Sequence, residues 1–248
     1  MSLTIVSLLL TLVPPIAWLL FYLREDAHPE PKLLLLLVFI AGMFSAIVAA
    51  FAECGFARLA LGASCNEHFL ESTTGINLFF LFGGIALIEE YAKYLVVKLI
   101  VLRRTAFDEP IDAMIYLMTA AMGFAALENG LFALPFIGND TLAGFQLISS
   151  RFIGANLLHA LSSGIVGFFL ARAWFAPRRH HFVALGMCIA TLLHVAFNYL
   201  ILTRETLPQA SLYLVLLLAV IAVMVFIDFE RLKRIPRKFL APLLPPSS

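Results

Sequence analysis

Long runs of apolar residues, separated by short polar segments, dominate the pattern along the chain. Each run holds roughly 20 residues, enough for a helix to cross the hydrocarbon layer of a bilayer. The runs lack the alternation of barrel strands, and a helix satisfies its own backbone hydrogen bonds in lipid. The pattern therefore predicts an all-α bundle of about seven transmembrane helices. The predicted spans are Leu3–Leu23, Leu33–Ala52, Ile76–Leu102, Ile111–Phe136, Phe152–Phe175, Phe182–Leu202 and Ala210–Phe229.

The basic residues of the predicted loops alternate between the two sides of the membrane. Arg103 and Arg104 follow the third span, and Arg178 and Arg179 follow the fifth. Because basic loops stay on the cytoplasmic side, this alternation predicts an outside N-terminus and an inside C-terminus. Residues 1–240 are predicted to form a single transmembrane domain, and the proline-containing tail 241–248 is predicted to be disordered.

The composition agrees with a membrane protein and excludes other classes. Hydrophobic residues make up 62% of the chain and charged residues 13%, against about half and a quarter in soluble domains. The formal net charge of +1 gives no support for nucleic acid binding. Three cysteines are too few for a disulfide scaffold, although Cys54 and Cys65 could pair if the outer side is oxidising.

Polar and ionisable side chains interrupt four of the predicted spans. Such groups are costly in hydrocarbon, so their presence indicates a functional or structural role. The helical rise places them at a similar depth in the outer half of the bilayer, which predicts one shared polar cavity. In chain order they are Glu89, Glu90, Lys93, Glu128, Asn129, Asn156, His159, His194 and Asn198.

The spacing of these residues indicates which of them share a helix face. Glu89 and Glu90 lie four and three positions before Lys93, so both can approach it. One lysine neutralises one carboxylate, which leaves the other suited to act as a general base; the sequence leaves open which one. His194 and Asn198 also share a face. The alternative is a structural ion network, with the histidines as hydrogen bonds between helices.

Outside the spans, acidic residues precede the predicted fourth helix. Asp108 and Glu109 stand directly before Pro110, a pattern that is typical of a helix start. They can also pair with Arg103 and Arg104 in the same loop. A structural role is the default interpretation of this segment.

Taken in order, these motifs resemble the PrsW family of intramembrane proteases, which is related to the type II CAAX prenyl endopeptidases and bacteriocin-processing enzymes. The family pattern EExxK fits Glu89, Glu90 and Lys93. The pattern FxxxE fits Phe124 and Glu128, and HxxxN fits His194 and Asn198. The prenyl endopeptidase branch instead carries EExxxR and FxxxH, so its mechanism does not transfer directly. Further matching segments are YLREDAHPEP, FDEPID and GFAALEN.

The resemblance implies an intramembrane endopeptidase that cuts a membrane-protein substrate, such as an anti-sigma factor, in the inner membrane of a bacterium. Glu89 or Glu90 would activate the attacking water, and Lys93 would hold the glutamate pair. His194 and Asn198 would stabilise the oxyanion. Two mechanisms stay open: one is independent of metal, and the other uses Zn²⁺ held by Glu128, His159 and His194.

Two other functions are compatible with buried polar groups in a membrane bundle. A proton-coupled transporter also uses carboxylates and histidines near the midplane, but it commonly carries an inverted repeat, and the sequence shows none. A non-catalytic membrane scaffold would use the same residues to hold helices together. The sequence indicates neither the substrate nor the oligomeric state.

Overall fold

The computed structural model describes residues 3–62, 75–136, 140–173 and 179–235, and these form helices joined by turns and short loops. A single 3₁₀ turn, Leu134–Phe136, follows the fourth helix. Within the described ranges the all-α prediction is confirmed. The α-helices, numbered along the chain, are α1 (Leu3–Leu23), α2 (Lys32–Leu61), α3 (Gly75–Ile100), α4 (Asp112–Ala133), α5 (Thr141–Ile153), α6 (Ala155–Ala173), α7 (Arg179–Thr203) and α8 (Ala210–Lys233).

Each of the seven predicted spans coincides with one of these helices, to within a few residues except where α2 continues to Leu61. Five helical stretches among the described residues are long and apolar enough to cross a membrane. Helix α3 is not among them, and it carries Glu89, Glu90, Lys93 and Lys98. The five stretches are Lys32–Ala60, Asp112–Phe136, Leu142–Ala173, His180–Thr203 and Ala210–Lys233.

Helix α4 forms the centre of the bundle. Every residue from Asp112 to Ala126 is buried, and α1, α2, α3 and α6 all pack against this helix. Small residues make the close approach possible. A Cβ at Gly123 would collide with the backbone of Phe39 in α2, and one at Gly167 in α6 would collide with the backbone of Met114. Close contact between helix backbones adds dispersion energy. In lipid, such packing contributes to helix association in place of the hydrophobic effect.

Helix α5 was not predicted from the sequence. The Asp140 side chain caps it by accepting the backbone N–H of Ala143 at 2.9 Å. The helix breaks at Gly154 and the chain continues directly into α6. Trp18 of α1 donates its indole N–H to the Phe152 carbonyl at 2.7 Å. These contacts tie α5 to the bundle beside the predicted polar cavity.

The outer surface of the bundle is apolar, as a lipid-facing surface must be. Helix α8 is the clearest case, because most of its large hydrophobic side chains are exposed. Cys188 carries a free thiol. Cys65 lies outside the described residues, and so does the tail 241–248, so the predicted disulfide with Cys54 and the predicted disorder stay predictions. The exposed apolar residues of α8 include Leu212, Tyr213, Val215, Leu216, Val220, Val223, Met224, Phe226 and Ile227.

Candidate active site

The polar residues of four helices converge in one buried cluster, which we call the histidine pocket. Its members are Glu89, Glu90 and Lys93 from α3, Glu128 from α4, His159 from α6 and His194 from α7. All of them except the half-buried Glu128 are buried. The rings of His159 and His194 meet edge to face with centroids 5.4 Å apart. Residues that are distant in sequence thus share one site.

The Glu90 carboxylate is held by hydrogen bonds on both oxygens. Lys93 Nζ donates to Oε1 at 2.7 Å, and the Ser162 hydroxyl donates to the same oxygen at 2.9 Å. His194 Nδ1 donates to it at 3.1 Å, and the Ser163 hydroxyl reaches Oε2 at 3.5 Å. A carboxylate with this many donors is stabilised as an ion and fixed in orientation. Glu90 therefore fixes the ring of His194.

The Glu89 carboxylate, unlike that of Glu90, has one oxygen without a hydrogen bond to the described residues. Its Oε2 is buried and has no hydrogen-bond partner within the described ranges. His194 Nε2 lies 3.7 Å from this oxygen, and His159 Nδ1 and Lys93 Nζ each lie 3.9 Å from it. Buried polar atoms are nearly always paired, so this carboxylate oxygen, which faces two imidazole nitrogens, is suited to contact a ligand.

Glu128 orients the second histidine. His159 Nε2 donates to Glu128 Oε2 at 2.8 Å, and Arg151 of α5 donates to the same oxygen at 2.6 Å. The other ring nitrogen, His159 Nδ1, accepts from Lys93 Nζ at 2.8 Å. These bonds assign the proton of the ring to Nε2 and turn Nδ1 toward Glu89. Both histidines are thus braced by a carboxylate on one nitrogen.

Two asparagines support this arrangement from the rim. Asn129 donates to Asn156 Oδ1 at 3.0 Å and to the Thr11 carbonyl at 3.2 Å, and it accepts from Arg151 Nε at 2.6 Å. Asn156 donates back to the Arg151 carbonyl at 2.7 Å. The network joins α1, α4, α5 and α6 around Arg151, so it holds the cation that pairs with Glu128.

Asn198 stands apart from this network. It is half-buried, one turn after His194 on α7, and its side chain makes no hydrogen bond to any other described residue.

Two members of the site were missed by the sequence interpretation. Arg151 directly precedes the predicted span Phe152–Phe175, and its role depends on helix α5, which the sequence did not predict. Glu53 of α2 is half-buried and interacts electrostatically with Glu89, Lys93 and Glu128. Ionisable groups in hydrocarbon are costly, and this argument singled out the polar residues of the other spans. Applied to Glu53, at the end of the second predicted span, it would have found this residue too.

The donor set fits a zinc ion. One ligand atom from each of Glu89, His159 and His194 can be chosen so that all three lie within 4.8 Å of one another. Two imidazoles and a carboxylate are the ligands of a catalytic zinc site, and zinc-bound histidines usually have a carboxylate on the other ring nitrogen. The predicted set used Glu128 as the third ligand. In the structure, Glu128 contacts the far nitrogen of His159, and Glu89 faces both rings.

A bundle of apolar helices that encloses carboxylates and histidines in this geometry is compatible with an enzyme site. A family model described as PrsW family intramembrane metalloprotease matches residues 30–227. The chain belongs to this family, and it is a membrane protease.

Curated relatives agree with this assignment. The chain is 30% identical over 187 residues to Protease PrsW of Geobacillus kaustophilus, which covers 75% of this chain and 74% of the relative. It is 26% identical over 186 residues to Protease PrsW of Bacillus subtilis, covering 73% and 75%. For Protease PrsW of Oceanobacillus iheyensis the identity is 24% over 191 residues, covering 77% and 80%. No solved structure matches the chain.

Proposed function

We propose that the chain hydrolyses a peptide bond of a membrane-protein substrate within the bilayer, with Glu89 contacting the attacking water. The observation that carries the proposal is the orphaned Glu89 oxygen, which faces His194 Nε2 at 3.7 Å and His159 Nδ1 at 3.9 Å. An unsatisfied carboxylate buried among apolar helices is costly, so its retention favours a chemical role over a structural one.

Glu89, His159 and His194 are the residues that would hold a zinc ion. Zinc in such a site polarises the scissile carbonyl and lowers the pKa of a bound water to near neutrality. The Lys93 ammonium donates to His159 Nδ1 in this structure, so His159 must give up that hydrogen bond to bind a metal. Lys93 would keep its bond to Glu90 with or without a bound metal. The Glu90 carboxylate would then stay neutralised in both cases.

The remaining residues position the reacting groups. Glu90 and Glu128 fix the two imidazoles, and Arg151 balances Glu128. Asn198, which has no hydrogen bond to the described residues, would donate to the substrate carbonyl as negative charge develops. Without a metal, the free oxygen of Glu89 accepts the proton of the attacking water. Glu89 is the essential carboxylate in both forms of the mechanism.

The membrane topology is part of the same proposal. Seven helices span the inner membrane of a bacterium, with the N-terminus outside, the C-terminus inside, and residues 1–240 as a single domain. In this arrangement the histidine pocket lies in the outer half of the bilayer. It can then receive a single-span substrate of the anti-sigma factor type from the lipid. Cysteine labelling of the loops from each side of the membrane would test this topology.

The direct test is cleavage of tagged single-span proteins, including an anti-sigma factor, when each is co-expressed with the protease. Glu89→Gln and His194→Ala should lower cleavage by roughly a thousandfold or more. Asp228→Asn is the matched control, because Asp228 is half-buried in α8 and pairs with Arg231 away from the pocket. It should cut normally. If all three variants cut equally well, the assignment of Glu89 and His194 to the active site is wrong.

Metal dependence is tested on the purified protein in detergent. Zinc content of about one ion per chain, lost in Glu89→Gln, would support the metal form. Full cleavage after chelation would support the metal-independent form. Substrate flux through proteoliposomes that disappears with Glu89→Gln would instead favour a transporter.

A further inference from the structure

A second group of carboxylates lies at the other end of α4, and we call it the carboxylate cluster. Glu30 from the α1–α2 loop, Asp108 from the α3–α4 loop and Asp112 at the start of α4 each offer an oxygen atom. These three oxygens lie within 4.8 Å of one another. Glu30 and Asp112 are buried, and Asp108 is half-buried. The cluster therefore joins two loops to the first turn of the central helix.

The cluster is held in place by hydrogen bonds from outside it. Asp112 Oδ2 accepts the backbone N–H groups of Asp108 at 2.9 Å and Glu109 at 2.7 Å, which folds the loop over the helix start. The Tyr116 hydroxyl, one turn further along α4, donates to Glu30 Oε2. These donors fix the orientation of the carboxylates, and a side-chain hydrogen bond joins Glu30 to Asp112.

Asp26 provides an independent observation. Its side chain is only 7% exposed, and its Oδ1 accepts the backbone N–H of His28 at 2.9 Å. Its Oδ2 is buried and has no hydrogen-bond partner within the described part of the chain. Asp26 interacts electrostatically with both Glu30 and Tyr116, which places its carboxylate beside the cluster. A buried, unsatisfied oxygen at this position indicates a ligand.

Within the described ranges, no protein cation balances this charge. No lysine or arginine among the described residues forms an ion pair with Glu30, Asp108 or Asp112. The sequence allowed Asp108 to pair with Arg103 or Arg104, but in the structure neither arginine forms an ion pair with it, and Arg104 Nε donates to the Ile100 carbonyl at 2.7 Å. Carboxylates buried together without a cation are strongly destabilised, so a cation from solution would stabilise the ionised cluster.

We propose that Glu30, Asp108 and Asp112 bind a divalent cation of the Ca²⁺ or Mg²⁺ class, with the free oxygen of Asp26 beside it. All of the donors are carboxylate oxygens, which suit hard cations rather than zinc. The cation links the α1–α2 and α3–α4 loops to α4, the helix that carries Glu128 into the histidine pocket. This site is separate from the proposed zinc ligands and does not depend on the proposed proteolysis.

Binding of Mn²⁺ to the purified full-length protein, followed by electron paramagnetic resonance, tests the site. The measurement uses the Glu89→Gln/His194→Ala background, which removes the ligands of the histidine pocket. About one tightly bound Mn²⁺ per chain is expected, and Ca²⁺ or Mg²⁺ should displace it. Asp108→Asn should weaken Mn²⁺ binding by about tenfold or more, since ligand charge sets affinity in such sites. Because Asp108 is half-buried and makes no side-chain bond to the other described residues, this variant should fold.

Glu109→Gln is the matched control. It lies in the same loop, and the Glu109 carboxylate pairs with His28 at 3.1 Å rather than joining the cluster. It should keep the Mn²⁺ affinity of the parent. Absence of bound Mn²⁺ would overturn the proposal, and the carboxylates would then be neutralised by protons. Equal weakening by Asp108→Asn and Glu109→Gln would also overturn it, because the binding would be diffuse surface attraction.

Discussion

The two polar sites at opposite ends of α4 solve the problem of buried charge in different ways. In the histidine pocket, Lys93 lies 2.7 Å from Glu90, and Arg151 lies 2.6 Å from Glu128. In the carboxylate cluster, Glu30 and Asp112 are equally buried, yet no basic side chain of the described chain pairs with them. Among the described residues, one site carries its own cations and the other contributes only oxygen donors.

This difference predicts different dependence on metal ions. A pocket with its own lysine and arginine can stay folded while a catalytic ion or a substrate enters and leaves. A cluster of carboxylates needs an external cation to be stable in its ionised form. We therefore expect the stability of the histidine pocket to depend on its internal cations and that of the carboxylate cluster to depend on an external cation. The following predictions test that division, from the largest effect to the smallest.

Removal of Lys93 should have the largest effect on stability. This side chain is fully buried and contacts Glu90, Glu89 and His159. Lys93→Met keeps the volume but leaves the Glu90 carboxylate buried without its cation. Loss of one partner of a buried ion pair costs about 3–5 kcal/mol. The free energy of unfolding, measured by SDS titration of the protein in detergent, should fall by about that amount.

Lys98→Met is the control for Lys93→Met. Lys98 lies on the same helix but is exposed, and its ammonium rests 5.8 Å from the centre of the Tyr94 ring. Its replacement should change stability by less than about 1 kcal/mol. If both variants were equally stable, the histidine pocket would not depend on an internal cation, and the contrast between the two sites would be lost.

His159→Gln should separate the metal preferences of the two sites. The variant loses an imidazole nitrogen facing Glu89, so zinc affinity should fall by about a hundredfold, or about 2.7 kcal/mol. Calorimetric titration with Zn²⁺ measures this loss. Mn²⁺ binding at the carboxylate cluster, which contains no histidine, should be unchanged in the same variant. If the variant lost affinity for both Zn²⁺ and Mn²⁺, the two sites would not bind metal independently of each other.

Arg151 should act as a positioning residue rather than a catalytic one. Arg151→Gln leaves Glu128 without its cation and loosens the bond that orients His159, so kcat/KM should fall by about tenfold, or about 1.4 kcal/mol. Arg151→Lys keeps the charge without the forked geometry and should restore part of the activity. Full activity of Arg151→Gln would show that Glu128 does not orient His159 through this pair.

The sequence was informative about helices because lipid imposes a simple rule. A run of about 20 apolar residues must be helical in hydrocarbon, so each predicted span coincides with a helix. The short helix α5 escaped detection, since it is amphipathic and lies beside the longer α6 run. Arg151 escaped with it, because a basic residue flanking a span ordinarily marks the membrane surface.

The partners within the site depended on information that one sequence does not contain. Glu89 and Glu90 are neighbours on α3, and a helix turns by about 100° between them. The rotation of α3 against α6 and α7 therefore decides which carboxylate faces both histidines. That rotation follows from packing at many contacts, such as the close approach of Gly84 on α3 to the Phe56 ring on α2. Spacing along the chain could only show that both carboxylates were candidates.

Tyr116→Phe should have the smallest effect, and it sharpens the comparison most directly. The Tyr116 hydroxyl donates to Glu30, so the variant should lose about 1 kcal/mol of stability when divalent cations are removed. With saturating Ca²⁺ the loss should shrink, since the bound cation then neutralises Glu30. Thermal unfolding in EDTA and in Ca²⁺ measures both values, with Tyr213→Phe, at an exposed position, as the control. An equal loss in both conditions would mean that the hydroxyl and the cation do not act on the same carboxylate.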